Sequence, residues 1–188
     1  MPIHDDKEFT GQTFSQDETR NCEFDHCTFI RCDFSGTEYL SGTYIDCRFE
    51  HCNLSMVKMN NCRLNNVAFA GCKLLGTSFA DCSDMFLNVR FEECMMDYAV
   101  FTGKKMSKTP FVKSSLHSAD FTECDLSKAR FTECDLAGAV FHHTNLKEAD
   151  FTTARNYVLD PDANTLKKAK FSLYGIAGLL EKYGIVIE

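Results

Sequence analysis

Residues Ala119 to Ala154 read ADFTECDLSKARFTECDLAGAVFHHTNLKEADFTTA, and Phe121, Leu126, Phe131, Leu136, Phe141, Leu146 and Phe151 stand five residues apart within them. The same spacing extends outward. From Phe9 it runs through Phe14, Thr19, Phe24, Phe29, Phe34, Tyr39, Tyr44, Phe49, Leu54, Met59, Leu64, Phe69, Leu74 and Phe79. After a slip of two residues it resumes at Phe86 and continues through Phe91, Met96, Phe101, Met106, Phe111 and Leu116. Sixteen of the 17 Phe fall on this series, and Thr19 is its one polar member.

Period five makes no stripe on an α-helix, where each step turns by about 140°, and on one flat strand successive repeats would face opposite sides. The chain must therefore turn every five residues. The residue two places before each large one is small, often Cys, and residues two apart on an extended segment point the same way. Each pentapeptide thus sends one large and one small side chain inward. Four segments close a square coil of about 20 residues, and stacked coils pair at about 4.8 Å.

This pattern resembles the pentapeptide repeat family, most clearly over Ala119–Ala154 and more loosely over residues 7–155. The resemblance implies an all-β, right-handed quadrilateral β-helix. Residues 1–155 are expected to form it, and residues 156–188 a C-terminal cap.

The chain has 188 residues, 44% of them hydrophobic, which excludes a disordered chain and fits one domain. All 11 Cys, at 22, 27, 32, 47, 52, 62, 72, 82, 94, 124 and 134, take the small inward position, where a free thiol behaves as a compact hydrophobe. No stretch is long and apolar enough for a membrane helix, and the start MPIHDDKEFTGQ lacks a secretory pattern, so a cytoplasmic, reducing location is expected. His26 and His51 precede Cys27 and Cys52 but should face away from them, so no shared metal is expected. With no phosphate loop, zinc motif or nucleophile elbow, and with His142 and His143 facing solvent, the chain reads as a non-enzyme without cofactor.

Three irregularities interrupt the frame. SQDETR at 15–20 puts Asp17 and Thr19 at interior sites, ADCSDM at 80–85 holds the two-residue insertion as a bulge, and Lys104 falls on an inward site, implying an outward kink. Beyond Tyr157, Asp160–Pro161 reads as a helix start. Leu173, Ile176, Ala177 and Leu180 then follow at α-helical spacing, with Leu179 and Tyr183 on another side. This C-terminal capping α-helix is either a lid on the last coil or a homodimer interface through Leu173, Ile176, Leu179, Leu180 and Tyr183.

The formal charge is −7, and residues 1–50 alone carry 11 acids against 4 bases. Such a balance argues against direct nucleic-acid binding. One face collects Asp17, Glu18, Glu38, Asp81, Asp120 and Glu123 against Arg20 and Lys58, while the face through Met106 and Leu126 displays Lys104, Lys105, Lys108 and Lys128. The repeat and the terminal DPDANTLKKAKFSLYGIAGLLEKYGI are similar to those of the quinolone-resistance Qnr members. That resemblance implies a DNA mimic, with Glu38, Asp81, Asp120 and Glu123 facing a type II topoisomerase such as DNA gyrase; the projecting loops of larger Qnr proteins have no counterpart of similar length here. The alternative is an interaction scaffold with an unrelated protein partner.

Overall fold

The computed structural model describes residues 1–38 and 40–186. The chain winds as a four-sided parallel β-solenoid whose coils repeat every 20 residues, as in the registers Phe9↔Phe29↔Phe49↔Phe69. Across the insertion the step is 22 residues, Phe69 pairing with Phe91 and Ser78 with Val100. One side is a continuous nine-stranded ladder from Glu8–Thr10 to Lys170–Phe171. The other sides are held by four short strands near the N-terminus and by single bridges, such as Asn53↔Lys73↔Met95↔Ser115.

Five-residue turning has a backbone signature. At 22 non-glycine residues among those described, φ lies between 48° and 64°, and most of these stand two places after an inward residue, as Asp46 follows Tyr44 and Lys128 follows Leu126. The left-handed region is unfavourable for most L-residues. Here the ladder bonds of neighbouring coils hold it, as when the Lys128 N–H donates to the Lys147 carbonyl at 2.8 Å.

Inside, rings from successive coils stack in register. The column Phe9–Phe29–Phe49–Phe69–Phe91–Phe111–Phe131–Phe151–Phe171 has centroid separations of 4.6 to 5.4 Å. It meets the column Phe79–Phe101–Phe121–Phe141 edge to face, so parallel stacking along the axis alternates with T-shaped contact across it. Both arrangements suit the ring quadrupole.

The cysteines have a specific task in this packing. Cys32, Cys52 and Cys72 each donate Sγ–H to the carbonyl 23 residues earlier, at Phe9, Phe29 and Phe49, over 3.2 to 3.3 Å. Thr144 does the same to Phe121 at 2.8 Å, and Thr77 to Leu54 at 2.7 Å. The small inward site therefore takes a compact side chain; Cys and Thr there also donate a hydrogen bond to backbone, whereas Ala99, Ala119, Ala129 and Ala149 fill it without one. All 11 cysteines are buried and free. Burial pushes the thiols of Cys47, Cys82 and Cys124 up to about 12 and that of Cys134 to about 11, keeping them protonated donors.

Several expectations are corrected. Phe86 does not point inward; it takes a left-handed corner at φ 62° and is 73% exposed, while the inserted Leu87 packs against the core in its place. Lys104 produces no outward kink. It is 6% exposed, and its Nζ donates to the Cys82 carbonyl at 2.7 Å and pairs with Asp84 at 3.3 Å. The extra residues leave that carbonyl and carboxylate facing the tube wall, and a long cation from the next coil reaches them.

Tyr39 lies outside the described residues, but Leu40, one place off the frame, is buried. At SQDETR the chain forms a one-turn helix, Gln16–Thr19, closed by a Ser15–Glu18 capping box, with Thr19 buried.

The ladder also continues past residue 155, Asp150 pairing with Lys170 and Phe151 with Phe171. Asp160–Pro161 opens a turn, not a helix. The expected α-helix is two short 3-10 segments, Ile176–Leu179 and Glu181–Tyr183. The reason is contact with the last coil: a Cβ on Gly178 would meet the Tyr157 carbonyl oxygen at 2.0 Å, and one on Gly175 the Tyr157 hydroxyl at 2.0 Å. The segment is drawn against Tyr157, and Leu159 N–H donates to the Gly178 carbonyl at 3.0 Å.

Candidate functional site

With the inward positions occupied by Phe, Leu, Met and Cys, what remains for chemistry is the outer surface. Glu38 and Asp120 share one column, which runs Glu38, Lys58, Ser78, Val100, Asp120, Val140. Asp81 and Glu123 lie on the corner that follows, both exposed. The structure thus brings all four onto one side, but not as a continuous stripe. Glu38 pairs with Lys58 at 3.8 Å, and Ser78 and Val100 separate that pair from Asp120.

Asp120 is also partly engaged within the coil. Burial opposes its ionisation, yet hydrogen bonds from Thr122 N–H at 2.9 Å and Thr102 Oγ1 at 3.0 Å hold its carboxyl below the usual range. Asp33 and Asp150 are held low in the same way, first by the hydroxyls of Ser35 and Thr152. These carboxylates shape turns as well as charge the surface. The first coils are more densely acidic, with Asp5, Asp6, Glu8, Asp17, Glu18, Glu38 and Asp46 all exposed.

At the C-terminal end the candidate interface residues divide. Leu179 packs against the core and Leu180 is half-buried, whereas Leu173 (82%), Ile176 and Tyr183 are exposed. Tyr174, Ile185 and Val186 are exposed beside them, signals that helical spacing alone did not single out. An open groove of about 510 Å³ runs between Tyr157–Val158 and Ala177–Ile185. Lys182 anchors the segment by pairing with Asp160 and Asp162, which raises its own affinity for the proton.

A five-residue frame, a four-sided parallel ladder and a core of stacked rings define a pentapeptide repeat solenoid. The description "pentapeptide repeat region" matches residues 22–99 and 42–117, and "pentapeptide repeats (8 copies)" matches residues 114–152; the chain belongs to the pentapeptide repeat family. Among solved structures it is similar to a trypsin-treated form of QnrB1, a plasmid-mediated fluoroquinolone resistance protein. The two share 20% identity and a TM-score of 0.65 over 99% of this chain and 100% of that one. It is also similar to HetL from the cyanobacterium Nostoc sp. strain PCC 7120, a protein involved in heterocyst differentiation regulation. There the identity is 15% and the TM-score 0.52, over 92% of this chain and 87% of that one. No curated protein matches the chain in sequence. Among the described residues, no helix is long and apolar enough to cross a membrane.

Proposed function

We propose that this chain is a non-catalytic interaction rod whose acidic side presents carboxylates, in place of DNA phosphates, to a type II topoisomerase such as DNA gyrase, and so protects against quinolones. The observation that carries this reading is a tube filled with side chains whose surface is most acidic over the first coils, where residues 1–50 hold 11 acids against 4 bases. Carboxylates so arranged steer toward a Lys- and Arg-lined saddle. The fold shared with QnrB1 supports the reading.

The test is a gyrase supercoiling and quinolone-cleavage assay at low salt with purified protein. Protection is expected, and charge reversal at Glu38, Asp81, Asp120 and Glu123 to Lys should weaken it. A protein that neither binds gyrase nor alters supercoiling or quinolone poisoning sinks the proposal.

A second reading is a scaffold for an unrelated protein partner. One observation favours it: the side through Met106 and Leu126 exposes lysines, unlike any surface of DNA.

A further inference from the structure

The insertion at 83–88 builds more than a bulge. The 22-residue step that pairs Ser78 with Val100 aligns Asp84 with Met106, and matching turns, Leu87 N–H on the Asp84 carbonyl and Thr109 N–H on the Met106 carbonyl, set Phe86 at the corner that Lys108 takes next. The following corners belong to Lys128, Glu148 and Lys168, with φ of 62°, 64°, 60°, 59° and 60° down the column. Met85 (59% exposed) likewise heads the column of Ser107, Ser127, Lys147 and Lys167. Contact between bulge and next coil is direct, since Lys105 N–H donates to Asp84 Oδ1 at 3.4 Å. Ser83 Oγ accepts from Met85 N–H at 3.2 Å, and Leu87 N–H closes the turn on the Asp84 carbonyl at 3.3 Å.

Below this apolar tip, the same side exposes Lys105, Lys108, Lys128, Lys147, Lys167 and Lys168 against the carboxylates of Asp125 and Glu148. Glu148 takes Lys128 at 3.7 Å and Lys147 at 3.9 Å, and the other four lysines make no ion pair among the described residues. Four coils at the strand spacing give a basic tract about 15 Å long. Lys108 and Lys128 are adjacent corners of a parallel stack, and like charges placed so repel. A chain with a net charge of −7 nevertheless keeps them together.

We propose that this side is a docking surface for an acidic, apolar-containing segment of a partner protein, with Phe86 and Met85 as its apolar anchor and the lysines as its counter-charge. The buried Lys104, bonded to the Cys82 carbonyl and paired with Asp84, holds the tip outward before any partner arrives. Exposed aromatic anchors beside complementary charge are how interfaces concentrate affinity. A long phosphate backbone fits less well. The corner leading into this side carries Asp81 and Glu123, which confine the positive tract to a narrow strip, and a phosphate chain offers Phe86 no apolar contact.

The experiment uses the full chain and two fluorescein-labelled probes, a glutamate–tyrosine copolymer and polyglutamate, with duplex DNA as a third. By fluorescence anisotropy the copolymer is expected to bind about tenfold more tightly than polyglutamate, one decade being about 1.4 kcal/mol. Phe86→Ser should abolish that difference while leaving polyglutamate binding intact, and Lys108→Glu with Lys128→Glu should abolish both. Because the chain has no Trp, Phe86→Trp supplies a single reporter whose emission should shift to the blue with unlabelled copolymer. Equal affinity for the two polymers, no effect of Phe86→Ser, a tryptophan emission that copolymer leaves unmoved, tighter binding of duplex DNA, or no binding at all would each overturn the proposal.

Discussion

Replacing Lys104 by Met keeps the hydrocarbon volume of a side chain that is 8% exposed and removes its charge. At 3.3 Å from Asp84 the Coulomb attraction is about 5 kcal/mol at an effective dielectric constant of about 20. Most of that is offset, because burying an ammonium costs several kcal/mol and Asp84, 38% exposed, is screened by water. A net pair energy of about 1 kcal/mol remains. The 2.7 Å bond to the Cys82 carbonyl adds roughly 1.5 to 3 kcal/mol, as a charged donor to a buried acceptor does. Lys104→Met should therefore cost about 3 kcal/mol and Asp84→Asn about 1 kcal/mol. The double variant should fall short of their sum by about 1 kcal/mol, because the two share one interaction. Urea unfolding followed by circular dichroism measures all three. A Lys104→Met variant within about 0.5 kcal/mol of the parent, or strict additivity with Asp84→Asn, would show that the cation does not hold the bulge.

The Tyr44 ring is fully buried between coils and its hydroxyl has no hydrogen-bond partner. An orphaned buried hydroxyl costs about 1 to 3 kcal/mol, so Tyr44→Phe should leave the urea midpoint unchanged or raise it; a clear loss of stability would mean that the hydroxyl has a partner. The exposed Leu173, Tyr174, Ile176, Tyr183 and Ile185 form an apolar end suited to a second copy. Light scattering should give about twice 21.3 kDa, falling toward the monomer in a Leu173→Glu, Ile176→Glu variant. A concentration-independent monomer of the parent would leave this segment a lid alone.

Much of the coil could be read directly, because a period of five admits no ordinary helix or strand and because one large and one small inward side chain per segment follow from strand alternation. The insertion was legible as a two-residue slip, but not its outcome. Phe86 and Leu87 are both large and apolar, and which one turns inward depends on the corner at Phe86, whose turn Leu87 N–H closes on the Asp84 carbonyl. Lys104 looked like an error in the pattern because its partners, the Cys82 carbonyl and Asp84, come from the preceding coil. The C-terminal segment was misread for a related reason. Spacings of three and four residues suit α- and 3-10 turns alike, and contact with Tyr157 decides between them. The acidic candidates and Lys58 could be assigned to a side by counting, yet the pairing of Glu38 with Lys58 and the neutral gap of Ser78 and Val100 before Asp120 show only when coils are stacked.

What the sequence alone determined is the tube, since the turning period and the inward pair are local properties repeated coil after coil. Tertiary structure decided what the tube presents: Phe86 outward at the head of a side rich in exposed lysines, Lys104 inward beneath it, Leu179 on the core and Leu173 in solvent. Each of those outcomes depends on atoms about 20 residues away along the chain and one coil away in space, a distance that periodicity describes but does not resolve.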